Sequence, residues 1–340
     1  MIKKNHINLS KMKQKVYTCY DESALPNVDG KNIFQQQVMF RFYRSLKNYT
    51  PFFIFIEENG NVLVSLLGVV IKEKNIYPSF LASRCLIIGK AEFFSDNITE
   101  LSAYKLLLKE IDNEFRRKCL FIEFRFPEKN EELNAVFREN NYAYSPWYNV
   151  KNNLNEDYIS PAKKRQIKSG FKNGASIIEA TTEAQVKAFY AILKQLYSNI
   201  KKPLPPIEFF TRFLHDFCEK GKGVYLLIDF QGKIIGGIMC LFENNETIYE
   251  WYVGSNHNEY KNLYPGVLSV YAAIDYGRKN GFRCFDFLGA GQQNTAYTVR
   301  DFKLTFGGNL EETTRWQKVN FRVLYKMALF ANRFLMQIKN

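Results

Sequence analysis

The chain has 340 residues, of which 46% are hydrophobic and 24% charged, a balance typical of a globular protein that argues against large disordered portions. This length suits two domains of moderate size. The formal net charge of +13 favours polyanionic partners, such as nucleic acid, anionic lipid head groups or phosphorylated substrates.

The cysteines, histidines and N-terminal residues indicate the cellular compartment. The six cysteines form no CxxC pair and several lie in apolar segments such as "IMCLF", which favours buried thiols in a reducing cytosol. The three histidines lack metal-ligand spacing, so no metal site is expected. The N-terminus has charges but no apolar core, and no apolar run is long enough to span a membrane. We expect a cytoplasmic protein, with peripheral contact at the inner face of the membrane left open.

The two halves of the chain predict nearly the same order of elements. Residues 52–74 predict two strands joined by a tight turn at Asn59-Gly60, and residues 224–246 predict a second such pair. In each half a helix then leads into a strand, over 100–118 and over 265–281. A loop and a short helix follow, in "LNAVFRENNY" and in "YTVRDFKLTFGG". This order of antiparallel strands and a late crossing helix is that of a GNAT-type acyltransferase, and two copies of it explain the length.

The joint between the halves carries a basic helix. Ser160 is the predicted N-cap and Pro161 the first-turn residue. Five basic residues follow with no acid between them: Lys163, Lys164, Arg165, Lys168 and Lys172. Lys164, Lys168 and Lys172 share one side of the helix. A solvated face and a phosphate-binding ridge are both open interpretations. A second helix begins downstream with the capping-box pattern Thr182-x-x-Gln185.

The stretch "FDFLGAGQQNTAYTVRDFKLTFGG", residues 285–308, predicts a buried strand, a Gly-rich loop and a short helix. Arg300 and Lys303 are three residues apart on that helix, so we expect both to point at one anionic group. The alternative is an ordinary solvated helix face. Asp286 lies on the strand before the loop, where it could orient a lysine, accept a proton or accept a structural N–H.

Residues 285–308 resemble the motif near the end of the Fem-type (FemABX) peptidyltransferases, with Asp-Phe-x-Gly, a loop and Phe-Lys-x-x-Phe-Gly. "KKRQIKSGFKNGASI" resembles the basic helix that opens the second domain of that family, and segments of the first half resemble it more loosely. The likeness spans about residues 30–318. It implies two tandem GNAT-like domains, 15–155 and 156–318, each with a mixed, mostly antiparallel sheet flanked by helices in an α/β (α+β) fold. A basic amphipathic helix is predicted at 319–340.

The resemblance implies a non-ribosomal aminoacyltransferase. Such an enzyme moves an amino acid from aminoacyl-tRNA to the peptide stem of a lipid-linked or UDP-linked muropeptide, without a cofactor. The positive charge of the chain agrees, because donor and acceptor are both polyanions. Two alternatives stay open: an N-acyltransferase that uses acyl-CoA or an acyl carrier protein on a small amine or sugar, and a binding module without catalysis.

Two features depart from the family pattern or from ordinary GNAT enzymes. The long antiparallel helical arm of several Fem-type proteins is missing from the sequence. Where a GNAT enzyme grips the CoA pyrophosphate, this chain has "NEYKNLYPGVLSV", in which Pro265 removes a backbone donor next to Gly266. That argues against CoA bound in the usual manner.

The resemblance also implies site residues. Lys303 is the first catalytic candidate, for placing positive charge at the carbonyl oxygen or at the tRNA end, and Asp286 is the second. The strand "TIYEWYVGS" occupies the place where a GNAT sheet splays, and alternation puts Tyr249 and Trp251 on one face. The candidate substrate-binding residues are Arg300, Tyr297, Tyr249, Trp251, Tyr252, Lys164, Arg165, Lys168, Arg41 and Arg44. The helix at 319–340 either docks on the protein or lies on anionic lipid.

Overall fold

The computed structural model describes residues 14–73, 78–293 and 295–325. Thirteen strands of these residues form one mixed sheet flanked by helices, which confirms the predicted fold class. Among the helices described, none combines the length and the apolar character needed to cross a lipid bilayer.

The elements follow the predicted order in both halves. The strands are β1 (Lys15–Cys19), β2 (Tyr49–Glu58), β3 (Asn61–Lys72), β4 (Ser83–Ile88), β5 (Glu92–Phe93), β6 (Phe121–Phe126), β7 (Ala143–Asn153), β8 (Ser176–Glu179), β9 (Gly223–Phe230), β10 (Lys233–Glu243), β11 (Thr247–Ser255), β12 (Cys284–Asp286) and β13 (Asn309–Val319). The helices are α1 (Gln37–Arg44), α2 (Glu100–Phe115), α3 (Asn134–Glu139), α4 (Pro161–Lys172), α5 (Glu183–Asn199), α6 (Ile207–Phe213), α7 (Pro265–Lys279) and α8 (Thr298–Leu304).

Local signals in the sequence explain the hairpins and helix starts. The β2–β3 turn has Asn59 at φ 52° and Gly60 at φ 81°, the left-handed pair that a tight hairpin requires. Thr182 and Gln185 form the predicted capping box at the start of α5. Ser160 occupies the N-cap position of α4, but its side chain makes no capping hydrogen bond, and its buried Oγ has no partner within the described residues. The predicted cap is therefore correct in position and wrong in its contact.

The sheet is covered on both faces because its inner strands are apolar on both sides. In β2, Phe52 and Ile54 pack in the cluster that contains α2, whereas Phe53 and Phe55 pack in the cluster that contains α1. A strand whose successive side chains are all buried is typical of a sheet with two covered faces.

The final strands of the two halves are exchanged. Among the described residues, each half has one parallel pair, β4 with β6 and β11 with β12. The last strand of the first half, β7, lies beside β12 of the second half, and β13 lies between β6 and β7. The predicted boundary at residues 155 and 156 therefore falls between elements but does not divide the sheet. Of the predicted C-terminal helix at 319–340, residues 326–340 lie outside the described residues and 322–325 form a helical turn.

Candidate active site

The sheet opens between β11 and β12. The two strands pair only over residues 247–249 and 284–286, and β11 then continues to Ser255 without β12 beside it. A bulge accompanies the opening: Met239 faces Tyr252 and Cys240 faces Glu250, so Trp251 is an extra residue in β11. Beyond Tyr249 this edge of β11 has no strand partner within the described residues. Its backbone N–H groups are candidate donors to an oxyanion.

A cavity of about 550 Å³ lies at this opening and is lined by residues of both halves. The first half contributes residues 32 and 34, the ends of β4 and β6 and part of β7. The second half contributes parts of α5, β11, the loop after β12, α8 and β13. The polar lining residues are Asn32, Arg125, Asn149, Tyr197, Lys202, Tyr249, Glu250, Tyr252, Tyr297, Lys303, Thr313 and Arg315. A cavity of this size, largely apolar with a few convergent polar groups, is typical of a small-ligand site.

Lys303 is buried at one side of the cavity. Its Nζ lies 3.0 Å from the carbonyl oxygen of Phe287, 2.9 Å from that of Gly289 and 2.8 Å from Oε1 of Glu250. These three acceptors match the three N–H donors of an ammonium group. Lys303 therefore has no donor left for a ligand in this arrangement. Its charge acts on the site through Glu250 and through the loop after β12.

Glu250 is the buried acid of the site and was missed by the sequence analysis. Its side chain is 5% exposed, and its second oxygen, Oε2, has no hydrogen-bond partner within the described residues. Burial raises the pKa of Glu250 above its usual range, while the Lys303 ammonium opposes that shift. A carboxylate with one free oxygen and a raised pKa at a cavity wall is suited to accept a proton.

The loop after β12 is held in a strained conformation. Leu288 has φ 50°, which is uncommon for a branched residue. Its N–H donates to Asp286 Oδ1 at 2.6 Å, and the N–H of Gly289 donates to Asn149 Oδ1 at 2.8 Å. Asn149 Nδ2 also donates to Asp286 at 2.7 Å. Burial raises the pKa of Asp286, and the hydrogen bonds from Asn149 and Leu288 oppose the shift. Asp286 therefore accepts structural N–H groups, which was one of its predicted roles.

Arg300 holds the same loop from the other end. Its guanidinium donates to the carbonyl oxygens of Ala290 at 2.8 Å and Gln292 at 2.5 Å, and it lies over the Tyr148 ring. The expectation that Arg300 and Lys303 point at one bound anion is not met: both side chains bind backbone carbonyls of the 287–292 segment. The reason is that a glycine-rich loop exposes carbonyl groups that need donors.

Aromatic residues form the wall that faces this loop. Tyr249 and Trp251 both contact Phe34, with ring centroids 5.3 and 6.0 Å apart. Tyr252 lies beside Tyr197 at 6.1 Å. Together with Tyr297, at the start of α8, the three predicted aromatic residues of β11 line the cavity.

The other predicted site residues lie outside the cavity. Lys164, Arg165 and Lys168 are exposed on α4, where Lys164 lies 3.6 Å from the Asp157 carboxylate. On α1, the guanidinium of Arg41 pairs with Glu22 at 2.7 Å, and Arg44 donates to the carbonyl oxygen of Tyr20 at 2.9 Å. Binding roles for these five residues stay predictions.

Comparisons with known proteins show which families and structures this chain resembles. Residues 162–303 match a family model described as an acetyltransferase (GNAT) domain. No curated protein sequence gives a significant match. The matched range runs from α4 to Lys303 and so includes the opening between β11 and β12.

Several solved structures share the architecture at low identity. FemX is 13% identical with a TM-score of 0.60, over 87% of this chain and 94% of FemX. L-PGS from Bacillus licheniformis is 12% identical with a TM-score of 0.56, over 90% of this chain and 98% of that protein. A tandem GNAT protein from the clavulanic acid biosynthesis pathway is 9% identical with a TM-score of 0.55, over 84% of this chain and 87% of that protein. The chain thus has the fold of tandem GNAT proteins.

Proposed function

We propose that this protein is an aminoacyltransferase that moves an amino acid from aminoacyl-tRNA to the peptide stem of a peptidoglycan precursor. The observation that carries the proposal is the buried Glu250–Lys303 pair at the wall of a cavity between the two halves. The match of residues 162–303 to a GNAT domain supports acyl transfer. The motif at 285–308 and the fold shared with FemX support the aminoacyl form of that reaction.

The chemistry needs a base and an oxyanion site. The acceptor amine attacks the ester carbonyl, a C–N bond forms, and the ribose oxygen leaves with the electron pair of the broken C–O bond. Glu250 Oε2 takes the proton that the amine loses, and the protonated acid can return it to the leaving oxygen. Backbone N–H groups of the unpaired β11 edge stabilise the tetrahedral oxyanion. Lys303 stabilises the ionised form of Glu250.

The start of α7 is poorly suited to bind the pyrophosphate of CoA. Pro265 has no N–H, and the N–H groups of Val267 and Leu268 already donate to the carbonyl oxygen of Tyr264 at 2.9 and 3.0 Å. In contrast, α4 presents Arg165 and Lys168, exposed and without an acidic partner within the described residues. A basic ridge of this kind fits the phosphates of tRNA.

The donor is identified by testing two labelled candidate donors in parallel. Purified protein is incubated with tRNAs charged with labelled amino acids and with a UDP-linked or a lipid-linked muropeptide, and labelled acetyl-CoA is run in parallel. We expect label to move from tRNA to the muropeptide. Preference for the lipid-linked form would favour the predicted contact with the membrane. Label that arrives only from acetyl-CoA would contradict the tRNA-dependent reaction.

The second candidate is an N-acyltransferase that uses acyl-CoA or an acyl carrier protein on a small amine or sugar. The GNAT-domain match at 162–303 favours it. Under this alternative, acetyl-CoA raises the unfolding temperature of the protein, because a ligand that binds only the folded state stabilises it. We expect no such shift if the donor is aminoacyl-tRNA.

A further inference from the structure

Two arginines on adjacent strands face each other in the part of the cavity formed by the first half of the sheet. Arg125 of β6 and Arg315 of β13 are paired directly in the register of these antiparallel strands, and both line the cavity. Like charges in directly opposed positions destabilise a sheet unless anions lie between them. This pair therefore requires a compensating negative charge.

The described residues supply only part of that charge. Glu123 accepts two hydrogen bonds from Arg125, at 2.8 and 3.1 Å, and lies 3.6 Å from Arg315 and 3.9 Å from Arg84. Glu73 pairs with Arg84 at 2.8 Å. Three guanidinium groups thus share two carboxylates, which leaves one excess positive charge. Burial would raise the pKa of Glu123, but Arg125 and its neighbours outweigh burial and lower it. Glu123 is therefore ionised, and its negative charge is already used by these arginines.

Two arginines of the cluster line the cavity, and Arg315 is the one that is not hydrogen-bonded to Glu123. Its side chain is 21% exposed, and its guanidinium forms no hydrogen bond within the described residues. It lies over the Trp147 indole ring, with Cζ 3.5 Å from the ring centroid. Burial, together with Arg125, lowers the pKa of Arg315 to about 9, which still leaves it charged at neutral pH. Contact with the indole restrains the orientation of the planar guanidinium group, whose N–H donors match the oxygen atoms of an oxyanion.

Strand register places Arg315 away from the loop after β12. On β7, Asn149 contacts the loop after β12, and its partner on β13 is Glu311. Arg315 is four residues further along β13, about 14 Å at the usual rise of an antiparallel strand. Glu250 and Arg315 line the same cavity, so a ligand that fills it can contact both.

We propose that Arg315, supported by Arg125, binds an oxyanionic group of the acceptor, a carboxylate or a phosphate, in the cavity that Glu250 also lines. The assignment of this group to the acceptor rests on the proposed function. The subsite selects acceptors by charge and length and takes no part in bond formation. A carboxylate would belong to the peptide stem and a phosphate to its carrier.

Anion binding to the Arg315 subsite is measured without any acyl donor. Inorganic pyrophosphate represents the phosphate source. The dipeptide Ala-Ala represents the carboxylate source, with its C-terminal amide as the uncharged control. Tryptophan fluorescence reports the binding, because the Arg315 guanidinium stacks on Trp147. We expect one of the two anions to bind saturably with a Kd of about 10 mM or lower, the range for a small ligand with few contacts.

The variants assign the signal to this site. Arg315→Gln should weaken binding about 10- to 100-fold, since a charged hydrogen-bonded contact is lost. Arg315→Lys keeps the positive charge but loses the planar guanidinium group, so it should weaken binding less than Arg315→Gln does. Arg283→Gln, at an arginine that is 72% exposed, should leave binding unchanged. Trp147→Phe should remove the fluorescence change and confirm its origin.

The outcomes separate the subsite from the reaction. Pyrophosphate binding that is lost in Arg315→Gln supports a phosphate site, and binding of Ala-Ala but not its amide supports a carboxylate site. Equal binding to wild type and Arg315→Gln, or binding of neither anion, overturns the proposal. If anions bind as expected but no label moves from tRNA, the proposed function fails and the subsite stands.

Discussion

Removing the ammonium group of Lys303 should destabilise the protein strongly. Lys303 and Glu250 are 9% and 5% exposed, and their charged atoms are 2.8 Å apart. At an effective dielectric constant of about 20, this distance corresponds to about 6 kcal/mol of Coulomb attraction, part of which offsets the desolvation of both groups. In Lys303→Met, Glu250 and two loop carbonyls lose their donor. We expect the free energy of unfolding to fall by about 3–5 kcal/mol at pH 7.

The stability lost in Lys303→Met should grow as the pH rises. Burial already raises the pKa of Glu250 from 4.5, and without Lys303 that pKa rises further. A raised pKa in the folded state gives stability that is present below the unfolded value and is lost as pH rises through the folded value. The cost of Lys303→Met should therefore be smallest near pH 4 to 5 and grow toward neutral pH, because protonated Glu250 needs no cation.

Urea unfolding at several pH values measures this dependence. Lys279→Met is the matched control: Lys279 is 72% exposed and pairs with Asp275 one helical turn away, so its loss should change the free energy of unfolding very little. A cost for Lys303→Met below about 1 kcal/mol, or one that does not change with pH, would refute the assignment of a buried ion pair.

Three further predictions concern catalysis, the loop and the basic ridge. Glu250→Gln should lower kcat about 10²- to 10⁴-fold and remove the acidic limb of the pH–rate profile, which in wild type rises as Glu250 ionises. Gly291→Ala, at φ 82° and with its new Cβ 2.7 Å from the Tyr297 ring, should destabilise the fold more than Gly281→Ala, at φ 75° with open space; urea unfolding measures both. Lys168→Ala should weaken tRNA binding and reduce the slope of log K against log salt by about 1, measured by titration at several salt concentrations.

The sequence predicts the elements well where the signals are local. Turn residues and caps act within a few positions, so the β2–β3 hairpin, the β9–β10 hairpin and the capping box of α5 are all in place. The exchange of β7 and β13 carries no such signal. Strand pairing over more than a hundred residues depends on the whole sheet, and the pattern of either strand fits several neighbours.

The site is predicted less completely, for physical reasons that specific residues illustrate. Alternation assigns Glu250 to the face opposite Trp251, but the bulge at Trp251 breaks the alternation and brings both to one cavity. In the sequence, Arg315 belongs to a basic stretch near the C-terminal end. The strand exchange places it opposite Arg125. Lys303 is predicted at the site, yet its contacts with loop carbonyls depend on the strained conformation of Leu288.

The most direct test of the account is a single-turnover transfer of label from charged tRNA to a muropeptide. Wild type is compared with Glu250→Gln and with Glu246→Gln. The Glu246 side chain is 57% exposed and pairs with the exposed Arg283. The account predicts transfer by wild type and Glu246→Gln, and a rate at least about 100-fold lower in Glu250→Gln. Transfer at the wild-type rate in a folded Glu250→Gln protein would contradict it.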